Sequence, residues 1–284
     1  MPVASQIAYV NGDFVSEDQA KISIFDRGFL FGDGIYEVTP VIDGRLVDRA
    51  AHMRRLKRSL GEIRLEPPVP IDDIDAIQED VVRRNSVTEG RVYLQVSRGV
   101  AERDFPFPQD PKPSLIMFAR QVPFLDTETS RRGIRVKTAP DLRWKRRDIK
   151  TVMLLASAMA KQEAIDAGFD DAWMVEDGHV TEGSSNNAYI VENGVVRTRH
   201  LSTDILPGCT RRALIALAAE SDIVVEERPF SPDEAKAADE AFITSATNLV
   251  MPVVGIDDAT VGDGTPGPIT KRLRELYIMA AKAG

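Results

Sequence analysis

The sequence is poor in the residues that build disulfides and metal centres. It has one cysteine, Cys209, and three histidines, His52, His179 and His200. A single cysteine excludes an intrachain disulfide framework and a cysteine-rich zinc site. The histidines show no HExxH pairing, so we expect no metal site. The GxSxG motif is also missing, although its absence leaves a Ser-His-Asp triad open.

Long apolar runs and an excess of positive charge are missing as well. No apolar stretch approaches the roughly 18–20 residues of a membrane span, and the N-terminus has no basic start followed by an apolar core. The net charge of −8 is a poor match for the electrostatic footprint of a nucleic-acid binder. We therefore expect a cytoplasmic protein with neither a membrane nor a nucleic acid as partner.

The length and the composition fit a globular protein of two domains. The 284 residues exceed the roughly 100–200 residues of a usual single core. Hydrophobic residues make up 43% and charged residues 28%, an ordinary globular mixture. A strand-like stretch at 115–119 gives way to Pro123 and the polar segment 126–130. We therefore predict an N-terminal domain over 1–121 and a C-terminal domain over 122–284.

Four turn dipeptides separate pairs of short apolar runs that have the pattern of strands. Glycine tolerates a positive φ, and Asn or Asp tolerates it better than most residues, so such pairs fit type I′ hairpins. Four hairpins favour antiparallel sheet over an all-parallel fold. The dipeptides are Asn11-Gly12, Asp43-Gly44, Asp177-Gly178 and Asn193-Gly194.

Five segments carry apolar residues at the spacing of an amphipathic helix. Gly168 is the predicted stop of the third helix. Because helices and strands occur in local clusters, the pattern predicts an α+β fold. The predicted helices span 49–60, 73–84, 151–167, 210–219 and 269–283.

A basic stretch, 141–150, ends in a lysine directly before the third predicted helix. If the stretch is a strand, its alternation places Arg146, Asp148 and Lys150 on one face. A desolvated lysine at a strand-to-helix junction can form a Schiff base with a carbonyl compound. Taken alone, the stretch also fits a basic surface strand.

Polar turns elsewhere in the chain have the composition of anion sites. Small residues around Glu182 let the backbone approach a ligand and can order the carboxylate. The segment 205–211 leads into a predicted helix. The free N–H groups at the start of that helix suit a phosphate, but the segment is equally typical of an ordinary helix start with Thr210 as the N-cap. The strand at 242–248 holds an anion or simply ends in hydroxyl residues. Together with Lys150 and a basic helix, these turns fit pyridoxal phosphate, which needs an aldehyde partner, a pyridinium partner and a phosphate cup.

Six segments, in order along nearly the whole chain, resemble the class IV aminotransferases, and within them the D-amino-acid transaminases of bacteria. The resemblance implies bound pyridoxal 5'-phosphate, a homodimer and the two-domain α+β architecture called fold type IV. Its smaller N-terminal α/β domain and its larger C-terminal domain, with a β-barrel-like sheet, hold the cofactor at their interface. The segments are 26–38, 52–56, 148–150, 181–187, 208–211 and 244–247.

The resemblance also assigns roles to individual residues. Lys150 is implied as the catalytic residue, which binds the cofactor as a Schiff base and carries the transferred proton. Glu182 is implied to pair with the pyridine N–H and so to keep the ring an electron sink, and Arg55 to bind the phosphate with its guanidinium fork. The other implied cofactor contacts are Leu206 on the ring face, Cys209 and Thr210 at a helix N-terminus, and Ala246 and Thr247 in a second phosphate loop.

Substrate recognition is where the sequence departs from the family. Tyr36 and Arg103 resemble two members of a carboxylate trap that is contributed partly across the dimer, but Phe105 stands in place of its histidine. The implied reaction transfers an amino group between a D-amino acid, such as D-alanine, and a 2-oxo acid, such as 2-oxoglutarate or pyruvate. The same scaffold leaves open an (R)-amine or branched-chain L-amino-acid transaminase, or an aminodeoxychorismate lyase. The lysine, glutamate and arginine together disfavour a non-catalytic binding protein.

Overall fold

The computed structural model describes residues 6–283, so the outermost parts of the two predicted domains, 1–5 and Gly284, lie outside the described residues. Within the described range the chain divides into two compact units. The first comprises the described residues up to Pro123 together with Ile149–Met153, and the second comprises Phe124–Asp148 and Leu154–Ala283.

The first unit is built on a six-stranded antiparallel sheet. Each of its two long helices runs for 14 residues, and a 3₁₀ turn covers Glu17–Gln19. The strands are β1 (Ile7–Val10), β2 (Asp13–Ser16), β3 (Gly34–Ile42), β4 (Arg45–Leu46), β5 (Glu89–Ser97) and β6 (Ser114–Gln121), and the helices are α1 (Arg27–Phe31), α2 (Arg49–Glu62) and α3 (Ile71–Arg84).

Helices α2 and α3 cover one face of this sheet, whose strand order is β2-β1-β6-β5-β3-β4. Successive side chains of a strand point to opposite faces, so Val92, Leu94 and Val96 of β5 enter the core while Tyr93 and Gln95 lie on the other face. Each fully buried aliphatic side chain contributes about 1.5–3 kcal/mol to the free energy of unfolding. One face of the sheet therefore stabilises the fold by packing against α2 and α3. The other face carries polar and aromatic side chains that are not needed for the core.

The segment Ile149–Met153 joins the first unit because it pairs with the start of β3. The Tyr36 N–H donates to the Lys150 carbonyl at 3.0 Å, and the Val152 N–H donates to the Gly34 carbonyl at 3.1 Å. Thr151 forms an isolated antiparallel bridge with Ile35. The predicted helix start at residue 151 is therefore wrong, since these backbone groups are bonded to β3.

The second unit contains a nine-stranded mixed sheet that curls as a half barrel. Its strands are β7 (Ile134–Pro140), β8 (Asp171–Glu176), β9 (His179–Gly183), β10 (Asn187–Glu192), β11 (Val195–Thr198), β12 (Val225–Glu227), β13 (Glu240–Ser245), β14 (Leu249–Ile256) and β15 (Ala259–Thr260). Its helices are α4 (Glu128–Arg132), α5 (Leu155–Asp166), α6 (Cys209–Glu220), α7 (Pro232–Ala237) and α8 (Pro268–Ala283).

The strand order of this sheet is β12-β11-β10-β13-β14-β7-β8-β9, with β15 paired to β14. Strand β7 is parallel to both of its neighbours and β11 is parallel to β12, while the other pairs are antiparallel. Its core is formed by buried side chains such as Trp173, Ile190, Ile243 and Met251. The start of β10 pairs with the end of β13, Asn187 with Thr244, and β9 ends at Gly183, so two of the polar turns noted in the sequence lie at these strand ends.

The four predicted hairpins are confirmed. All eight residues of the four dipeptides have a positive φ, between 50° and 113°, and they connect β1 to β2, β3 to β4, β8 to β9 and β10 to β11. Four of the five helices are confirmed to within two residues at each end, and Gly168, with φ 83°, follows the helix that starts late. No helix among residues 6–283 is long and apolar enough to cross a membrane.

Candidate active site

Lys150 lies on the open side of β3 with its amine against a tyrosine. Its Nζ is 3.2 Å from the Tyr36 hydroxyl oxygen and 4.3 Å from the centroid of the Tyr36 ring. The backbone pairing with β3 fixes this arrangement, because Tyr36 bonds to the main chain of Lys150 itself. The amine is half-buried and held at a defined position, as a covalent cofactor residue requires.

The stretch that precedes Lys150 is not the predicted strand. Residues 141–148 have no regular secondary structure, because their polar side chains bond locally and across to the sheet of the second unit. The Arg147 guanidinium donates to Glu176 at 2.7 Å, and Arg146 pairs with Asp148 at 3.0 Å. The predicted shared face of Arg146, Asp148 and Lys150 therefore does not form.

Tyr36 is one end of an aromatic stack on the open face of the first sheet. Its ring lies 5.6 Å from that of Tyr93, which lies 5.0 Å from that of Phe118, both in stacked orientation. Burial raises the pKa of Tyr93 to about 12, so Tyr93 remains a neutral hydrogen-bond donor, to Gln95 at 2.8 Å. The stack gives the tyrosine beside Lys150 a rigid apolar support.

Arg55 lies on the opposite face of β3, in a buried cluster with Glu37 and His52. Its Nε and one terminal nitrogen donate to the two oxygens of Glu37 at 2.8 and 2.7 Å, and the His52 Nδ1 is 2.7 Å from the second oxygen. Burial alone would raise the pKa of Glu37, but the charge and hydrogen bonds of Arg55, aided by His52, lower it to about 2. The predicted phosphate arginine is thus held in one orientation by a carboxylate.

Glu182 is a second buried glutamate, and unlike Glu37 it carries a predicted role. Its Oε2 accepts the Leu206 N–H at 3.0 Å and the Asn187 side-chain amide at 3.1 Å, and its Oε1 accepts a guanidinium N–H of Arg143. A carboxylate offers about four acceptor positions, so these three donors leave one for a further N–H. The remaining acceptor position on Glu182 suits the protonated pyridine nitrogen of the predicted cofactor.

The charge of Glu182 is set by an arginine that two carboxylates share. Arg143 also donates to both oxygens of Asp141, at 2.9 and 2.7 Å. Burial raises the pKa of Glu182, the Arg143 charge opposes that rise, and the Asp141 charge adds to it. The pKa of Arg143 is raised by the two carboxylates despite burial, so Arg143 stays protonated.

Two short segments of the second unit carry the predicted phosphate contacts. Cys209 and Thr210 are the first residues of α6, with Gly208, rather than Thr210, as the N-cap. A Cβ on Gly208 would lie 2.2 Å from the Asn187 Oδ1, so a larger residue here would have to displace the Asn187 side chain that donates to Glu182. The backbone N–H groups of the first turn of a helix have no partner within the helix and suit an anion.

The other predicted phosphate contacts lie in the turn that follows β13. Ala246 and Thr247 occupy this turn, where the Thr247 and Ser245 hydroxyl oxygens are 3.3 Å apart. The Asn248 N–H donates to the Ser245 hydroxyl at 3.1 Å. Helix α6 packs against β13, so both segments belong to one part of the second unit.

The predicted substrate residues divide into two groups. Tyr36 contacts Lys150, whereas Arg103 and Phe105 lie on the connection between β5 and β6 and both contact Phe31. The Arg103 guanidinium is 5.4 Å from the centre of the Phe31 ring, and the Phe105 ring meets it edge-on at 5.8 Å. Phe105 is 80% exposed, which leaves a large apolar side chain open beside an arginine.

Comparison with known proteins identifies the family. Residues 34–256 match the model of the family described as amino-transferase class IV. The chain belongs to the class IV aminotransferases. It is therefore an enzyme, and the family's cofactor is pyridoxal phosphate. The predicted family and cofactor are confirmed.

Curated relatives and solved structures agree with the family. A D-alanine aminotransferase of Staphylococcus haemolyticus is 36% identical over 270 residues, 94% of this chain and 95% of the relative, and one of Bacillus licheniformis is 36% identical over 264 residues, 93% of each. The branched-chain amino acid aminotransferase of Escherichia coli has a TM-score of 0.91 at 25% identity, over 98% and 95% of the two chains. The predicted fold type IV is confirmed.

The sequence predictions missed the residues that hold the predicted ones in place. Glu37 orients Arg55, and Arg143 and Asp141 orient Glu182. A signal was available for Glu37, which follows Tyr36 on a strand and so must face the core as an acidic residue. No comparable signal exists for Arg143, because it lies among other basic residues in a segment without regular structure.

Proposed function

We propose that this enzyme transfers the amino group of a D-amino acid, such as D-alanine, to a 2-oxo acid, such as 2-oxoglutarate or pyruvate. The observation that carries the proposal is the half-buried amine of Lys150, held 3.2 Å from the Tyr36 hydroxyl at the position that the family motif assigns to the cofactor lysine. Curated D-alanine aminotransferases that match nearly the whole chain support the substrate class.

The donor set of the chain fits pyridoxal phosphate. We assign Lys150 to covalent attachment, Glu182 to the ring nitrogen, Leu206 to the ring face and Arg55 to the phosphate. When bound, the cofactor supplies an electron sink that acidifies the Cα–H of an amino acid. The remaining proposed phosphate ligands are Cys209, Thr210, Ala246 and Thr247.

The chemistry left to the protein is proton movement and orientation. The Lys150 amine would take the proton from the substrate Cα and deliver it to the C4′ carbon of the cofactor, while the hydrogen bond between Nζ and the Tyr36 hydroxyl holds that amine in position. The Arg143 charge favours the ionised form of Glu182, and an ionised Glu182 would hold a proton on the ring nitrogen. The planar fork of Arg103 suits the substrate carboxylate, and Phe105 offers it an apolar neighbour.

Branched-chain L-amino-acid transamination is the second candidate. Solved enzymes with that activity share the fold, with TM-scores up to 0.91, but at 24–28% identity, whereas the curated D-alanine aminotransferases reach 36–37%. The higher identity favours the D-amino-acid reaction. The homodimer and the cytoplasmic location stay predictions.

Replacing the cofactor lysine tests the proposal. We expect Lys150→Ala to lower the rate of amino transfer from D-alanine to 2-oxoglutarate by at least about 10⁴-fold, because the covalent and proton-transfer roles are lost together. The fold should persist, since Lys150 is only half-buried. Borohydride reduction of the wild-type holoenzyme, followed by peptide mass spectrometry, should place the cofactor mass on Lys150.

A neighbouring lysine provides the matched control. Lys145 lies five positions earlier, is 74% exposed and pairs with Glu176, so Lys145→Ala should keep the wild-type rate within about twofold. A Lys150→Ala protein with the wild-type rate, or cofactor attached to another lysine, would contradict the assignment of Lys150. A wild-type enzyme that transfers amino groups only from L-amino acids would contradict the substrate class.

A further inference from the structure

The connection between β5 and β6 is much longer than a hairpin needs. The two strands pair up to Ser97 and Ser114, and residues 98–113 between them contain neither helix nor strand. Most hairpin connections have about two to five residues, and structureless loops beyond about 12–15 residues are uncommon and are usually either functional or linker segments. This connection, which we call the specificity loop, carries Arg103 and Phe105.

The base of the specificity loop is closed by backbone contacts. Gly99 has a φ of 84°, and a Cβ there would lie 1.8 Å from the Lys112 carbonyl oxygen, so only glycine allows the two ends to meet. Val100 forms a bridge with Asp26, whose carboxylate accepts the Ser114 hydroxyl at 2.7 Å. The tip, however, carries exposed side chains and needs another anchor.

Arg27 provides that anchor from α1. Its Nη1 donates to the Asp104 carbonyl at 2.6 Å, and its terminal nitrogens are 3.5 Å from the Phe105 and Pro106 carbonyl oxygens. The contacted carbonyl groups follow directly after Arg103 and include that of Phe105. Arg27 is only 3% exposed, so these bonds form away from solvent.

A second arginine completes the anchor. The Asp33 Oδ2 accepts the Nε of both Arg27 and Arg98 at 2.8 Å. Arg98 donates its other groups to the Arg64 and Ile63 carbonyls at 3.2 and 2.7 Å, and its guanidinium carbon is 3.6 Å from the centre of the Phe107 ring. The Asp33 carboxylate thus orients two guanidinium groups. That of Arg27 binds the backbone of the specificity loop, and that of Arg98 packs on an aromatic side chain of the same loop.

We propose that Arg27 is a positioning residue for substrate recognition, which acts by holding the specificity loop so that Arg103 can read the substrate carboxylate. This inference rests on the proposed function, because it assumes that Arg103 binds that carboxylate. It assigns a role to the arginine of the segment Asp26-Arg27-Gly28, which neither the cofactor chemistry nor the core of the first unit explains.

The geometry of Arg27 makes the role testable by a conservative substitution. Its Nε and Nη1 hold Asp33 and the loop carbonyl simultaneously from one planar guanidinium. Lysine keeps the charge but has a single nitrogen, so it cannot hold both groups with this geometry. Misplacement of a recognition group by about 1 Å can cost about 100-fold in rate, so loss of the anchor should be measurable.

The experiment is a double-mutant cycle of Arg27→Lys and Arg103→Ala in the holoenzyme, with D-alanine as donor. We expect each single variant to raise the KM for D-alanine at least about tenfold, with kcat changed less than about threefold. In the Arg103→Ala background, Arg27→Lys should add less than about twofold, because the loop then has no carboxylate-binding group to position. Hydrogen exchange of peptides within 98–113 should speed up in Arg27→Lys and not elsewhere.

Two further variants keep the cycle interpretable. Arg83→Lys changes an exposed arginine that pairs with Asp80 and should alter neither KM nor exchange. Phe107→Ala removes the half-exposed ring that packs on Arg98. It therefore tests the anchor of the loop even if Arg27→Lys fails to fold. Like Arg27→Lys, it should raise the KM for D-alanine.

The possible outcomes separate this inference from the proposed function. Additive losses in the cycle, or unchanged exchange in 98–113, would overturn the role of Arg27 while D-alanine transamination stands. If Arg27→Lys does not fold, a Phe107→Ala variant with the wild-type KM would overturn it. If the wild-type holoenzyme does not transaminate D-alanine, the proposed function fails, and the exchange measurement still decides whether Arg27 holds the loop.

Discussion

Glu37 in the first unit and Glu182 in the second are both buried and both paired with an arginine, yet their pKa values move in opposite directions. Glu37 is 1% exposed, and its pKa falls to about 2. Glu182 is 3% exposed, and its pKa is raised. Burial acts alike on both carboxyls, so the difference comes from the partners.

The two arginines differ in how many of their nitrogens donate to the glutamate. Arg55 presents two nitrogens to Glu37, and His52 adds a third contact. Arg143 presents one nitrogen to Glu182 and two to Asp141, and the negative charge of Asp141 itself raises the pKa of Glu182. A shared guanidinium therefore leaves Glu182 under-compensated, with an acceptor position still available.

This difference suits Glu37 to a structural role and Glu182 to the cofactor role proposed for it. Glu37 is strongly stabilised as an anion and fixes Arg55 against β3. Glu182 gains from any further positive group that approaches it, and a protonated pyridine nitrogen is such a group. We infer that Glu37 acts mainly on stability and Glu182 mainly on turnover.

The largest expected effect on this comparison comes from Glu37→Gln, which tests whether Glu37 stabilises the fold. The amide leaves the buried charge of Arg55 without its counterion, and loss of one partner of a buried pair costs about 3–5 kcal/mol. Chemical denaturation at pH 7 should show that loss in the free energy of unfolding. A variant as stable as the wild type would remove the structural role of Glu37.

The same glutamate predicts how stability depends on pH. A carboxyl whose pKa falls from 4.5 in the unfolded chain to about 2 in the folded one stabilises the fold above about pH 5. That contribution, about 3 kcal/mol, is lost as the pH falls towards 2. Unfolding measured between pH 6 and pH 3 should lose stability more steeply in the wild type than in Glu37→Gln, and parallel curves would contradict the shift.

Next in size is Glu182→Gln, which tests the functional side. It keeps the size of the side chain and removes the charge that we propose holds the ring nitrogen protonated. We expect kcat at saturating cofactor to fall about 10²–10³-fold, the usual loss when one preorganised electrostatic group is removed, with a smaller change in cofactor affinity. Unchanged kcat with a collapse of cofactor affinity would show that Glu182 only binds.

The smallest expected effect is that of Asp141→Asn, which sharpens the comparison. Without the Asp141 charge, Arg143 serves Glu182 alone, so the pKa of Glu182 should fall. In the proposed role of Glu182 its ionised form is the active one, so the acid limb of the kcat profile should move to lower pH, by up to about one unit. A limb that moves to higher pH would reverse the inferred role of Asp141.

The sequence contained enough information for the hairpins, most helices and the family. The Asn-Gly and Asp-Gly dipeptides act locally, because they need only a positive φ that glycine, Asn and Asp tolerate, and all four form the predicted turns. Helices such as α2 and α8 follow from apolar periodicity, which depends on neighbours three and four residues away. Lys150 and Glu182 came from motif resemblance.

What the sequence did not reveal depends on contacts between distant residues. Residues 151–152 stand at the start of a helix predicted from apolar spacing, but they bond to β3, more than a hundred positions earlier. Arg27 and Asp104 meet across 77 positions within the first unit. Such pairings follow from tertiary structure, which overrides local propensity, so neither the late start of α5 nor the anchor of the specificity loop could be predicted from spacing.

The central claim, transfer of the amino group of D-amino acids, is tested most directly by a half-reaction without a 2-oxo acid. Holoenzyme is mixed with D-alanine, L-alanine or L-leucine in three separate experiments. The absorbance of the lysine-bound cofactor, which borohydride abolishes, should be lost within one turnover only with D-alanine. One pyruvate should be released per active site. The same conversion with L-leucine but not with D-alanine would contradict the account and assign the enzyme to branched-chain L-amino acids.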